Sequence, residues 1–359
     1  MNLYSNEMYM EDVLYVASLD LPWHILQKKY LMLSGATGMI GSFLTDVIME
    51  KNRKGLNCKV YALVRNMEKA QDRFSKYLND PRLAFISYDA MFPLVRDDIG
   101  NVDYLLHLAS NTHPIQYATD PIGTITTNVI GAYNLLGFAV AHYASRFLFA
   151  SSNEIYGENR GDADLFRENY CGYLDCNTLR AGYPESKRCG ESLCQAYRSQ
   201  KGLSVLIPRL TRTYGPTMSM TDTKAISQFI RSAVAGEDIV LKSKGTQYYS
   251  FQYVADSVSG LLTVLLCGAD GEAYNIAEES SDIMLKDLAA MIAKASGRKV
   301  VFDIPDGVEA AGYSTATKAR LDGSKLAKLG WKPKYSIQSG VERTLRILKD
   351  GLLLNEPGQ

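Results

Sequence analysis

Two tyrosine–lysine pairs, Tyr183/Lys187 and Tyr197/Lys201, stand at i,i+4 spacing, which puts both members of each pair on one helix face. Context separates them. Lys201 precedes Gly202 and reads as a last-turn lysine before a glycine cap, whereas Tyr183 opens its helix about thirty residues after Ser152, the end of the apolar run RFLFASS. A phenol beside an ammonium group has its phenolate favoured and becomes a usable base near neutral pH. With the Ser152 hydroxyl on the same substrate oxygen and a hydride acceptor nearby, these groups could oxidise an alcohol.

A cradle for such an acceptor lies earlier, in KYLMLSGATGMIGS from Lys29 to Ser42. An apolar run (Tyr30 to Leu33), glycines at 35, 38 and 41, and the amphipathic stretch Phe43 to Met49 give the strand, tight turn and helix of a dinucleotide-binding unit. Gly35 turns the chain off the strand, Gly38 lets backbone approach a pyrophosphate, and Gly41 lets the helix pack on the sheet. Thr37, Met39 and Ile40 fill the rest of that phosphate-facing turn. The second strand, KVYALVRN, ends without the acidic residue that would hold a ribose 2′-hydroxyl. Arg65 stands there and can accommodate a 2′-phosphate, so NAD and NADP both remain open, with a tilt to NADP.

The elements that must position these groups follow a regular rhythm. A helix from Met67 to Leu78, the strand AFIS before Asp89, the strand from Val102 to Ser110, a helix from Pro121 to about Ala144 and the strand RFLFASS alternate. That alternation predicts an α/β fold with a doubly wound parallel sheet, with ligands beyond the carboxyl ends of its strands. Ser110, Asn111, Ser151 and Ser152 would then converge on one crevice, while His107, inside an apolar strand, reads as structural.

Residues 1–29 are apolar and aromatic enough to form a helix or hook packed on the body; 30–207 form the dinucleotide-binding domain. From 208 to 349 the character changes, to a helix from Asp222 to Ala235, a polar hairpin-like region around Gly245, a helix from Tyr253, the strand AYNIA and helices near Leu285 and Ile337. This predicts a smaller mixed α/β substrate-binding domain, partly returning to the sheet, crossed by Pro208 to Pro216, with 350–359 as a tail.

At 359 residues and 46% hydrophobic content the chain can bury a large core. Lys+Arg and Asp+Glu balance at 39 each, which argues against nucleic acid or an anionic membrane as partner. Six cysteines without a CxxC pair read as reduced thiols of a cytoplasmic protein, and the first thirty residues show neither a signal peptide nor a membrane span.

The motifs GATGMIG, HLAS (His107 to Ser110), ASSNEIYG (Ala150 to Gly157), YPESK (Tyr183 to Lys187), RTYGP (Arg212 to Pro216) and FQYVADSV (Phe251 to Val258) resemble the extended short-chain dehydrogenase/reductases of the nucleotide-sugar epimerase/dehydratase type. Within that group the chain looks closest to UDP-glucuronate decarboxylases. The resemblance implies a tightly held nicotinamide cofactor in a Rossmann domain, transient oxidation of a sugar at C4, and a homodimer built on a four-helix bundle. It places Ser152, Tyr183 and Lys187 in the alcohol-oxidising set and Glu154 as the base on the carbon beside the ketone. Asp89 would contact adenine; Ala90, Leu108, Ala109, Ser110 and Asn128 would line the cofactor, and Asn111, Thr112, Asn153, Arg212 and Tyr249 the substrate.

Four positions depart from the resembled families. The decarboxylases carry arginine where this chain has Tyr249, asparagine where it has Arg212 and arginine where it has Thr217, so cationic contacts have moved. Asn153 stands where dTDP-glucose dehydratases have an acidic residue; an amide cannot deliver a proton. The expected activity is therefore dehydration or epimerisation of a nucleotide sugar, with elimination preferred. Decarboxylation, net NADPH-dependent reduction and a non-catalytic cofactor-binding role are the alternatives.

Overall fold

The computed structural model describes residues 2–112, 117, 119–304 and 317–353. Helix α1 (Glu7–Ser18) precedes strand β1 (Tyr30–Ser34), and α2 (Met39–Arg53), β2 (Lys59–Val64), α3 (Met67–Arg73), β3 (Leu83–Ser87), β4 (Tyr104–His107), α4 (Pro121–Ala141), β5 (Arg146–Phe149), β6 (Ser151–Ser152), α5 (Gly182–Lys201) and β7 (Val205–Leu210) follow. Past β7 come β8 (Arg212–Tyr214), α6 (Ala225–Ala235), β9 (Ile239–Leu241), β10 (Tyr248–Tyr253), α7 (Val254–Cys267), β11 (Ala273–Ile276), β12 (Asp282–Met284), α8 (Leu285–Ser296), β13 (Val300–Phe302), β14 (Lys318–Ala319), α9 (Ser324–Ala327) and α10 (Ile337–Leu353).

The main sheet runs β3-β2-β1-β4-β5-β7-β11, with β6 also on β7, and every pairing in it is parallel. Its strands are short and largely buried, as a sheet covered on both faces requires. The order reverses between β1 and β4, and there the crevice opens. This is the doubly wound parallel sheet that the alternating pattern predicts.

Helix boundaries follow local chemistry. Asn66 caps α3 and Asp120 caps α4 with Pro121 in its first turn. The helix expected from Met67 to Leu78 is shorter: α3 stops at Arg73 and a separate 3-10 turn spans Ser75–Tyr77. Likewise α6 begins at Ala225, because the Asp222 carboxylate accepts the Lys224 N–H (2.9 Å) and holds a turn there.

The expected hairpin at Gly245 is absent. β9 pairs in parallel with β13, while β10 runs antiparallel to β12 and parallel to β8 and β14, so the segment joins two different small sheets. The residues after 208 also supply β11 to the main sheet, and α7 to the layer that packs on α1 and α2.

The N-terminal segment is bonded to both parts of the chain. Buried Asp12 of α1 accepts the phenol O–H groups of Tyr253 and Tyr335 (2.6 Å each) and pairs with Arg343 at 2.8 Å. Asp46 of α2 takes Tyr4, Tyr9 and Arg73. Helix α4 is apolar and long enough to cross a bilayer, and 44% of its most apolar stretch is buried in this fold.

Candidate active site

Gly190 sets the position of α5. A Cβ there would meet the Phe149 ring at 2.2 Å, so the helix lies directly on β5. One turn earlier, Lys187 passes over Phe149 (4.8 Å to the ring centroid) and donates to the Ala150 carbonyl at 2.9 Å. Tyr183, a further turn back, is buried, and the hydroxyls of Ser152 and Ser110 near its phenol favour the charged form. Ser110 donates to Asn128 Oδ1 (2.8 Å), and Asn128 Nδ2 donates to Ser186 (3.0 Å). The end of β4 is thereby tied to α4 and α5 beside this phenol.

The electrostatics depart from the sequence expectation. Burial pushes the Tyr183 phenol above its ordinary value, the Glu154 carboxylate pushes the same way, and the two serine hydroxyls oppose them. Lys187 does not offset this: its Nζ is 6.0 Å from the Tyr183 ring centroid and bonded elsewhere, and burial lowers its own pKa to about 7.

Glu154 lies in the 3-10 turn Asn153–Tyr156, and its N–H donates to the Ser152 hydroxyl (3.2 Å). Its carboxylate pairs with Arg180 Nη2 at 2.8 Å. Arg180 in turn sits over the Tyr117 ring at 5.0 Å, and Tyr117 stacks on Tyr183 with centroids 4.9 Å apart. Across the pocket Arg212 lies flat on Tyr249, its guanidinium carbon 3.5 Å from the ring centroid. The register Phe251↔Arg212 explains the contact: residues 212 and 249 stand two positions apart on adjacent parallel strands.

The glycine turn has the shape a dinucleotide requires. Gly35 has φ +71°, and a Cβ there would meet the Ala109 nitrogen at 2.7 Å; at Gly41 it would meet the Gly35 carbonyl oxygen at 2.2 Å. Helix α2 starts at Met39 with Gly38 as its cap residue and no side-chain cap, which leaves first-turn N–H groups of Met39, Ile40 and Gly41 for an anion. Residues 31–277 match the NAD dependent epimerase/dehydratase family.

The chain belongs to that family. It is 33% identical over 314 residues to UDP-glucuronic acid decarboxylase 5 of Arabidopsis thaliana, covering 87% of this chain and 86% of the relative. It is 30% identical over 327 residues to UDP-glucuronic acid decarboxylase 1 of Xenopus tropicalis (90% and 73% covered). Among solved structures, the dTDP-glucose 4,6-dehydratase of Streptomyces venezuelae with NAD bound superimposes with TM-score 0.78 at 25% identity, covering 91% of this chain and 99% of that one. A UDP-glucuronic acid 4-epimerase from Bacillus cereus has the same fold (TM-score 0.77, 20% identity, 89% and 99% covered).

In a family member of this kind, bound NAD supplies the hydride acceptor. The residues that would hold it are together: Gly35, Thr37 and Gly38 in the turn, Leu108 and Ala109 against Gly35, and Ser110 and Asn128 beside Tyr183. Arg65 is exposed at the end of β2 and Asp89 just past β3, where Asp89 caps the Met91 N–H (3.0 Å) and the Ala90 carbonyl accepts from Asn134 (3.0 Å). On the substrate side Asn153 is buried, Asn111 lies at the crevice edge, and Thr112 accepts from Lys224 at 3.3 Å. Thr217 donates to the Met39 carbonyl (2.9 Å), so the hydroxyl that replaces the decarboxylase arginine ties the crossing segment to the glycine turn.

His107 is structural: buried, with Nδ1 2.7 Å from the Ser34 hydroxyl across β4 and β1, and with its pKa lowered to about 3 by burial. Sequence reasoning missed Arg180, Tyr117, Ser186 and Lys224. Arg180 lies three positions before Tyr183 but in the separate 3-10 turn Leu179–Ala181, so a helix period does not find it. Tyr117 carried no signal, since nothing in its local pattern says that it will stack on the phenol.

Proposed function

We propose that Tyr183 takes the proton of a C4 hydroxyl in a nucleotide-linked sugar, with bound NAD as the group that would accept the C4 hydride, and that Glu154 then moves a proton on the carbon beside the resulting ketone. The observation that carries this is a buried phenol that feels both the Ser152 hydroxyl and the carboxylate of Glu154, two residues further on. Ser152 orients the hydroxyl and Tyr183 receives its proton; Lys187 fixes the strand-end carbonyl beneath them. Once C4 is a ketone the neighbouring C–H becomes acidic, and Glu154 is placed to accept that proton. The exposed Arg65 supports acceptance of NADP as well as NAD. A cytosolic setting agrees with six unpaired cysteines.

Dehydration and epimerisation both use Glu154 this way. Decarboxylation is the second reading, favoured by the curated relatives and by the two guanidinium groups flanking the pocket. Incubation of the purified protein with UDP-, dTDP-, GDP- and CDP-sugars, with products followed by NMR, is expected to give a 4-keto-6-deoxy sugar or an epimer without net consumption of added NADPH. Carbon dioxide released from UDP-glucuronate alone would put decarboxylation first, and steady NADPH consumption would make it a reductase.

We also propose a homodimer through α4 and α5. Ile122, Ile130 and Tyr133 are exposed along one face of α4, which packs on α5. Light scattering is expected to give twice the mass of one chain; the mass of a single chain refutes it.

A further inference from the structure

The N-terminal segment is fastened twice by the same device: a buried carboxylate that takes two phenols and one guanidinium. Asp12 of α1 accepts the O–H groups of Tyr253 and Tyr335 at 2.6 Å each and pairs with Arg343 at 2.8 Å. Asp46 of α2 accepts the phenols of Tyr4 (3.0 Å) and Tyr9 and pairs with Arg73, whose guanidinium also donates to both phenol oxygens (2.8 and 2.9 Å). The two fastenings reach different parts of the molecule. Asp46 lies on the helix that starts at the glycine turn, whereas Tyr253 ends β10, the strand that carries Tyr249 and pairs with β8 beside Arg212. Ser152, Tyr183 and Lys187 all stand on β6 and α5 of the main-sheet layer, while Arg212 and Tyr249 stand on the small sheet. Two parts of one chain move against each other unless something holds them. Helix α1 packs on both α2 and α7, the helix that continues from Tyr253, and it lies before residue 31, where the family match begins.

We propose that residues 3–18 are a clasp that fixes the small sheet against the cofactor helix, with Asp12 and Asp46 as positioning residues for the reaction. Neither touches the crevice groups. Asp12 acts through Tyr253 on β10, and Asp46 anchors the other end of the clasp on α2. A buried carboxylate with three donors has one low-energy arrangement, and removing any donor or the charge leaves its partners unpaired, so the clasp holds one distance instead of a range. The Tyr253 and Tyr335 rings meet edge to face with centroids 4.9 Å apart, which couples the strand end to the chain entering α10. The kinetic readout below rests on the nucleotide-sugar reading; the exchange readout does not.

The test compares the full chain with Asp12→Asn, Tyr335→Phe and a control, Leu203→Ala, which opens a cavity in the other hydrophobic core. Each is assayed well below its own melting temperature. Asp12→Asn is expected to raise KM for the nucleotide sugar about tenfold, with kcat within about threefold and NAD affinity unchanged, because only the substrate side is loosened. Tyr335→Phe removes one O–H and keeps the ring, so it should move KM the same way by about two- to threefold; it carries the test alone if Asp12→Asn does not fold. Leu203→Ala should lower the melting temperature and leave KM where it was. KM unchanged in the clasp variants, or moved as far in Leu203→Ala, overturns the proposal. Hydrogen exchange needs no substrate and separates the two readings. In a chain that turns over no nucleotide sugar, faster exchange over Tyr248–Tyr253 in the clasp variants, with Tyr30–Ser34 as in the unaltered chain, keeps the clasp and removes the nucleotide-sugar reading. Exchange unchanged in both strands, or quickened alike in both, removes the clasp.

Discussion

Tyr183→Phe is expected to lower turnover by about a thousandfold while leaving cofactor binding and the melting temperature nearly unchanged. The substitution deletes one oxygen and keeps the ring, so stacking on Tyr117 survives and the Ser152 and Ser110 hydroxyls can bond water in its place. The same oxygen carries a pH prediction. Burial and the Glu154 carboxylate hold the phenol above its ordinary pKa of 10.0, and only its deprotonated form accepts a proton from substrate. The initial rate should therefore rise with pH across neutrality rather than level off there. In cofactor-free protein, the ultraviolet difference between the chain and Tyr183→Phe should show no phenolate from pH 6 to 9. A phenolate band at pH 7 would contradict the raised pKa, and activity retained by the phenylalanine variant would remove Tyr183 as the base.

What the sequence revealed and what it hid divide along the range of the interactions involved. The glycine turn, the parallel order and the placing of Ser152 and Tyr183 at one crevice follow from local patterns, because strand burial, helix period and caps are written in consecutive residues. The state of Lys187 does not follow in that way. An i,i+4 spacing brings two side chains to one face, but burial on Phe149 and the Ala150 carbonyl decide where the ammonium goes. The segment around Gly245 fails for a related reason: β9 and β10 lie close in sequence yet pair with β13 and β12, and pairing across tens of residues leaves no local mark. Arg212 is intermediate. Its departure from the decarboxylase pattern is visible in the sequence, whereas its seat on Tyr249 needs the register of two strands.

Glu154→Gln separates the two halves of the reaction. Ser152, Tyr183 and Lys187 are untouched by it, so removal of the C4 hydroxyl proton should persist, while the step on the neighbouring carbon should fall by about 10²- to 10³-fold. Removing the carboxylate also removes one of the two causes that raise the Tyr183 phenol, whose pKa should drop towards its ordinary value and shift the ultraviolet titration accordingly. Loss of the Arg180 partner should cost stability only about 1 kcal/mol or less, because that ion pair is partly exposed and screened. Mixing the variant with excess nucleotide sugar should therefore build up reduced cofactor and ketone, seen as near-ultraviolet absorbance in a stoichiometric burst, with little final product. Full product formation at the unaltered rate would transfer the base role away from Glu154 and leave its carboxylate as the resting partner of Arg180.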